Sequence, residues 1–386
     1  MSAFFVCGNT LIVMALLVGC ADKQKVAPRA VESGKNVAAA DGREQTQEAP
    51  PQEQAPEKAL WTVSNTPIKH ECQPPAEMGF YPSKGLSQEN RYMLSRFAAI
   101  GGPAFKFEEV FLQGFFKTAE FSGLKVFEDK GKGVQGFVAT SEKVNLVVFR
   151  GTHSAGGLVT DMNFLLSRAS FVNMQGGVHR GFKAAFDAVK PAINAALDVQ
   201  NRPDIPTFYI GHSLGGALAM LAATDGLAGK VKVEGVVTLG QPRTGNSAFS
   251  ESFAKALGEK YFRYVHARDL VPHLPPSTGA ADSAASAFSQ NNLLKLAVQG
   301  AGLLGFSHVG QLVHLDKTGL LLSPPASDAA WDSSYWVSNA ETVRQTVTSL
   351  PSLAGSAASL QSLAQNNQIA DHDLEKYLCQ ILKNSK

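Results

Sequence analysis

A serine with glycines two positions away on either side stands in Gly211-His212-Ser213-Leu214-Gly215-Gly216, after the apolar run at 207–210 and before the helix-forming ALAMLAAT. A serine held on a sharp strand-to-helix turn needs neighbours without bulk at those two positions, because the turn presses them against sheet and helix. The chemistry open to such a residue is acyl transfer, with the Ser213 hydroxyl attacking a carbonyl carbon. At the start of the helix the backbone N–H of Leu214 can point at the carbonyl oxygen as it gains charge. A second oxyanion donor is expected from the loop after a neighbouring strand. The apolar run 144–149 leads into Arg150-Gly151-Thr152-His153-Ser154, where Thr152 offers both an N–H and a hydroxyl.

A serine hydroxyl is a weak nucleophile until a base takes its proton, and imidazole titrates near neutrality. The imidazole in turn needs a carboxylate behind it to fix its tautomer and to stabilise the cation. Where the serine sits on a strand-to-helix elbow, the carboxylate follows it in the chain and the histidine comes last. Asp269 fits, because it follows the strand-like run 261–265 in His266-Ala267-Arg268-Asp269. Asp225, at the end of the nucleophile helix, is expected on the surface. Beyond Asp269 lie His273, His308, His314 and His372. His273 is too close in the chain to turn back over Ser213, and spacing alone divides the base between His308 and His372.

The elements that must position these groups alternate. Strand signals fall at 133–140, 144–149, 207–210, 231–239 and 261–265, with helical stretches at 86–100, 182–198 and 214–224. Near-continuous apolar strands alternating with helices argue for an α/β fold, a largely parallel central sheet flanked by helices. The first two strands can pair as a hairpin, which makes the sheet mixed. A Phe-rich stretch from Phe105 to Phe127 reads chiefly as core, with a lipid-touching surface as the alternative. Residues 279–305 and 346–367, rich in small residues, read as excursions from the sheet, the first with a short helix at 291–298.

With 35 Lys and Arg against 33 Asp and Glu, the formal charge is +2 and the cations form no block. This excludes the basic footprint of a nucleic-acid partner. No motif calls for a metal or cofactor. Residues 11–18 are apolar but about half the length of a membrane span, and they read as part of a signal peptide. Leu17-Val18-Gly19-Cys20 is similar to a bacterial lipoprotein cleavage box, which implies a signal peptide at 1–19 and a lipid on Cys20 anchoring the chain to the membrane. Ala21 after that cysteine implies an outer-membrane address in the cell envelope. Residues 20–59 lack large apolar side chains and read as a disordered tether, leaving 60–386 as the folded domain. With Cys7 removed and Cys20 lipidated, Cys72 and Cys379 remain, to pair outside the cytoplasm or to stay buried and free.

Several segments together resemble the class 3, fungal-type lipases of the α/β-hydrolase fold. They are VVFRGTHS at 147–154, VHRGF at 178–182, YIGHSLGGALA at 209–219, TLGQPRTGNSAF at 238–249, RDLVPHLPP at 268–276, FSHVG at 306–310 and ADHDLEKYL at 370–378. The resemblance implies Ser213 as nucleophile, Asp269 as acid, His372 as base, and Thr152 and Leu214 as oxyanion donors. It also implies a lid after the Thr152 loop, where Leu158, Met162, Leu165 and Leu166 would form one apolar helical stripe over Ser213. The tryptophan common in that helix is absent. The implied substrate is an acylglycerol, with phospholipids or short-chain esters as alternatives. A non-enzymatic envelope module that binds lipid or protein is the alternative of another kind.

Overall fold

In a computed structural model the described residues are 57–65, 72–100, 109–151, 165–198, 202–289, 292–348 and 370–385, and all lie within the unit Pro56–Lys386. The chain there opens with β1 (Trp61–Thr62) paired antiparallel to β2 (Gly79–Phe80). Trp61 stacks on Phe80 with ring centroids 4.1 Å apart and meets Phe97 edge-on, so this small hairpin is pinned by aromatic burial. Helices α1 (Gln88–Ile100) and α2 (Glu109–Thr118) follow. The Ser87 hydroxyl accepts from Asn90 N at 3.2 Å, satisfying one of the free donors at the start of α1.

The central sheet has seven strands. Three come first as an antiparallel meander, β3 (Gly123–Asp129), β4 (Val134–Thr140) and β5 (Asn145–Phe149). Two short strands, β6 (Leu166–Arg168) and β7 (Gly177–His179), precede α3 (Arg180–Leu197). Next come β8 (Thr207–His212), α4 (Leu214–Ala228), β9 (Val233–Leu239), β10 (Gly245–Asn246), α5 (Ser247–Leu257) and β11 (Tyr261–His266). Helices α6 (Ala281–Ala287) and α7 (Asn292–Leu303) lead to β12 (Phe306–Ser307), β13 (Gln311–Leu315), α8 (Asp328–Thr348) and α9 (Leu374–Asn384). The large sheet has the order β13-β11-β9-β8-β5-β4-β3, parallel from β13 to β5 and antiparallel beyond. Strands β12-β10-β7-β6 form a separate antiparallel sheet.

Period-two alternation sends each buried strand's side chains into two cores. Leu146 and Val148 of β5, Phe208 and Ile210 of β8, and Val237 and Leu239 of β9 pack with α1 and α9. Val147, Phe149, Tyr209 and Val236 face the other way, onto α3, α4 and α5. Helix α4 is buried from Gly215 through Gly226, which explains why its sequence is apolar all round rather than amphipathic. A third apolar cluster joins Leu270 and Leu274 to α6, α7 and Trp336 of α8. The excursion at 279–305 is therefore packed structure, and its helix extends from Asn292 to Leu303 rather than ending at 298.

Other expectations also change. The Phe-rich region ends in a strand, β3, and Phe116, Phe121 and Phe127 are core residues, whereas Phe105 and Phe107 lie outside the described residues. Asp225 is not a surface residue. It is buried within α4 and pairs with Lys190 of α3, with Asn194 donating to its second oxygen at 3.2 Å. Leu166 is a strand residue paired with His179, so no helical stripe reaches it, and Leu165 just before it is exposed. Leu158 and Met162 lie outside the described residues, as do the signal segment, Cys20 and the tether. Among the described residues, no helix is long and apolar enough to cross a membrane.

Candidate active site

Ser213 lies between the end of β8 and the start of α4 with φ 58° and ψ −131°, a backbone conformation that costs a non-glycine residue energy. The surrounding sequence permits it. A Cβ on Gly211 would lie 2.1 Å from the Gly215 carbonyl oxygen, and one on Gly215 would lie 2.6 Å from the carbonyls of Phe149 and Arg150. Both glycines are thus forced by backbone contact, as the motif requires. Ser213 N donates to Leu239 O at 2.9 Å, which ties the turn to the adjacent strand. The serine is 2% exposed, and among the described residues its Oγ has no hydrogen-bond partner.

Leu214 begins α4, where the first-turn N–H groups have no carbonyl behind them within the helix. Gly151, at the end of β5, comes against the elbow from the other side, its would-be Cβ 3.5 Å from Ser213 Cβ. Thr152 lies outside the described residues.

Asp269 follows β11 and is fully buried. Its Oδ1 accepts from Val271 N at 2.9 Å, and its Oδ2 accepts from His372 Nδ1 at 2.7 Å and from the Tyr377 hydroxyl at 2.6 Å. The Nδ1–H bond leaves Nε2 as the nitrogen able to accept a proton, and that atom has no partner among the described residues. His372 sits just ahead of α9, whose N-cap Asp373 accepts from Glu375 N and Lys376 N. Burial, then the negative charge of Asp269, holds the Tyr377 phenol well above its ordinary value, so it remains a donor to the carboxylate. The disulfide between Cys72 and Cys379, Cα atoms 5.2 Å apart, fastens α9 two residues beyond Tyr377.

Two further residues complete the surroundings. Gly240, directly after β9, has φ +57°, and a Cβ there would lie 2.8 Å from His372 Nδ1 and 2.9 Å from Asp269 Oδ2. His212 stands against His372, ring centroids 4.5 Å apart, and its Nε2–H donates to the His372 carbonyl at 2.9 Å. Burial, with the neighbouring His372 imidazole, holds His212 well below its ordinary value and keeps it neutral. Sequence reasoning had assigned no role to Tyr377, His212 or Gly240. A tyrosine on the buried face of the helix after a candidate histidine was the available signal for the first.

The remaining histidines are sorted by their partners. His273 Nδ1–H donates to Asp332 at 2.9 Å and its ring stacks on Tyr335, while burial depresses it to about 4. His308 Nε2–H donates to Pro272 O at 2.8 Å, and His314 Nε2–H donates to Ala267 O at 2.8 Å. None of these three contacts Asp269, so only His372 of the four candidates does. His273 and His308 belong to a buried network centred on Arg243, which grips Asp328 through Nε at 3.0 Å and Nη2 at 3.1 Å and meets Asp332 at 3.3 Å. Burial alone would raise Asp328, yet Arg243, with His308 and Arg263, holds it well below the usual carboxylate range. This network pins the loop 271–275 to the start of α8 and so braces the segment that carries Asp269. Among the described residues, no cluster of His, Cys, Asp and Glu could hold a metal.

A mixed sheet with a serine elbow between its central strand and the following helix defines the α/β-hydrolase class. Within that class the family described as lipase (class 3) matches residues 146–279 of this chain. A lipase of Rhizomucor miehei is 36% identical over 146 residues, covering 36% of this chain and 39% of the relative. A secreted mono- and diacylglycerol lipase of Fusarium solani is 35% identical over 153 residues, covering 37% and 44%. The chain thus spans less than half the length of the curated relatives it matches. Among solved structures, the Lip2 lipase of Yarrowia lipolytica is 26% identical with a TM-score of 0.44, covering 62% of this chain and 81% of that one.

Proposed function

We propose that the protein is a serine hydrolase of carboxylic esters whose substrates are acylglycerols, with Ser213 as nucleophile, His372 as base and Asp269 as the acid behind it. Ser213 Oγ attacks the ester carbonyl while His372 Nε2 takes its proton. The oxyanion collects on the Leu214 N–H and on Thr152. The tetrahedral intermediate then collapses, the leaving alcohol takes the proton from His372, and water repeats the sequence on the acyl-enzyme. The observation that carries this reading is the pairing of His372 Nδ1 with buried Asp269 beside the Ser213 elbow, with Ser213 Oγ and His372 Nε2 both buried and, among the described residues, without a hydrogen-bond partner. In the absence of substrate such a serine–imidazole bond is often long or unmade. The choice of acylglycerols is supported by the match of residues 146–279 to the lipase (class 3) family and by the mono- and diacylglycerol lipase among the relatives.

Hydrolysis of tributyrin by the wild type and by Ser213→Ala tests the proposal. Fatty acid release should vanish in the variant, and full release from it would end the reading. Phosphatidylcholine vesicles assayed alongside decide between acylglycerols and phospholipids.

The anchoring of the enzyme in a bacterial envelope through a lipid on Cys20, with 20–59 as tether and 60–386 as the catalytic domain, belongs to the same proposal. It is supported by the Leu17-Val18-Gly19-Cys20 sequence and by the Cys72–Cys379 disulfide, which persists outside the reducing cytoplasm. Palmitate incorporation in cells should require Cys20, and labelling that survives Cys20→Ala would remove the anchor.

A further inference from the structure

We propose that His212, the residue before the nucleophile, is a positioning residue that ties the loop carrying the base to the nucleophile elbow. The inference rests on the reading of Ser213, His372 and Asp269 given above and adds a residue to it.

His212 is the last residue of β8 and is in register with Leu239 of β9, so the sheet sets its backbone before any side-chain contact forms. From that fixed point its Nε2–H reaches the main-chain carbonyl of His372 at 2.9 Å. Its ring lies 4.5 Å from the His372 ring with a tilt of 30°, and the Tyr377 ring meets it edge-on at 6.0 Å. On the other side, its Nδ1 faces the backbone of Gly151, 3.0 Å from that glycine's would-be Cβ. One imidazole therefore touches the segment holding the proposed base and lies beside Gly151, just past the end of β5, while being joined by a peptide bond to the proposed nucleophile.

The contact supplies something that Asp269 does not. Asp269 fixes one ring atom of His372, but a ring held at one atom can still swing if its main chain drifts. The His212 bond fixes that main chain, so Nε2 keeps a single direction. Reacting groups must be held within a fraction of an ångström for full rate. The charge state also matters, since His372 becomes a cation when it takes the serine proton. A second cation at 4.5 Å would oppose that step, whereas a neutral, buried His212 does not.

Two substitutions separate the donor from the ring. His212→Phe keeps an aromatic ring and removes the N–H; His212→Gln loses the ring and keeps a side-chain N–H. With p-nitrophenyl butyrate, His212→Phe should lower kcat about tenfold, the scale of one lost buried hydrogen bond. KM should stay within about twofold, because no substrate contact has been removed. His212→Gln should recover most of the loss. A phenylalanine variant with wild-type kcat, or a glutamine variant as slow as the phenylalanine one, overturns the proposal.

A measurement on the wild-type protein guards against variants that fail to fold. In ¹⁵N-histidine NMR just below the ordinary imidazole value, His212 should be neutral with its proton on Nε2. A proton on Nδ1 alone, or a charged ring, overturns the proposal. Undiminished hydrolysis by Ser213→Ala, run in parallel, would instead overturn the hydrolase reading, and this inference with it.

Discussion

Gly240→Ala adds one methyl group to a residue that takes no part in the proposed chemistry, and it should nearly abolish activity. The new Cβ would lie 2.8 Å from both Cε1 and Nδ1 of His372 and 2.9 Å from Asp269 Oδ2. Carbon needs about 3.5 Å from such atoms, so the imidazole and carboxylate must retreat by roughly 0.6 Å. They cannot retreat together without stretching the 2.7 Å bond between them or the bond from Tyr377. A misplacement near 1 Å costs about a hundredfold in rate, so kcat on p-nitrophenyl butyrate should fall by that order. The positive φ adds about 1 kcal/mol of strain for alanine, and overpacking adds about 1–3 kcal/mol. Melting should therefore drop by several degrees while the protein stays folded at 25 °C (about room temperature). An alanine variant that keeps more than about a third of the wild-type kcat would refute the placement of Gly240 against the acid–base pair.

Three further outcomes follow from the same geometry. Tyr377→Phe removes a charge-assisted donor from a buried carboxylate and should cost about 1.5–3 kcal/mol in urea unfolding, with a smaller loss of kcat than Gly240→Ala; unchanged stability would contradict it. Cys72→Ser opens a loop whose ends are 307 residues apart and should lower stability by about 3–5 kcal/mol in denaturant titration, and a midpoint unmoved would show that the bridge does not brace α9. Stability should also fall as pH drops below the ordinary imidazole range. His273 is depressed to about 4 by burial, so the unfolded chain takes up a proton near pH 6.5 that the folded protein refuses until about pH 4. Its contribution is complete above the higher value and is lost going down, on the order of 3 kcal/mol. His179, depressed to about 4 by burial and then by Arg180, acts in the same direction. Unfolding free energy that is flat between about pH 7 and pH 4 would contradict this.

The parts of the site legible in the sequence are those built by neighbours in the chain. The elbow could be read because Gly211 and Gly215 are required by backbone contacts within a few residues of Ser213, and Asp269 because it closely follows a recognisable strand. The proposed base could not be chosen by spacing. His308 and His372 have equal freedom in sequence, and what separates them is three-dimensional: His308 is bound to Pro272, and His372 to Asp269. Only the resemblance of ADHDLEKYL favoured His372. Gly240, His212 and Tyr377 were missed for a related reason, since each acts across the gap between β8, β9 and α9. The small sheet was also unreadable, because strands of two or three residues are too short to show a period. Strand β3 was hidden by phenylalanines that suggested core without a direction. The lid expectation failed at Leu166, where the pairing of β6 with β7 overrides a helical spacing of leucines.

The central claim is that Ser213 is a nucleophile activated by His372, and covalent trapping tests it most directly. A fluorophosphonate probe incubated with the purified protein should form one adduct, located at Ser213 by mass spectrometry, and the adduct should form far more slowly in His372→Ala. No adduct on Ser213 in the folded wild type, or an equal rate in the variant, would contradict the account.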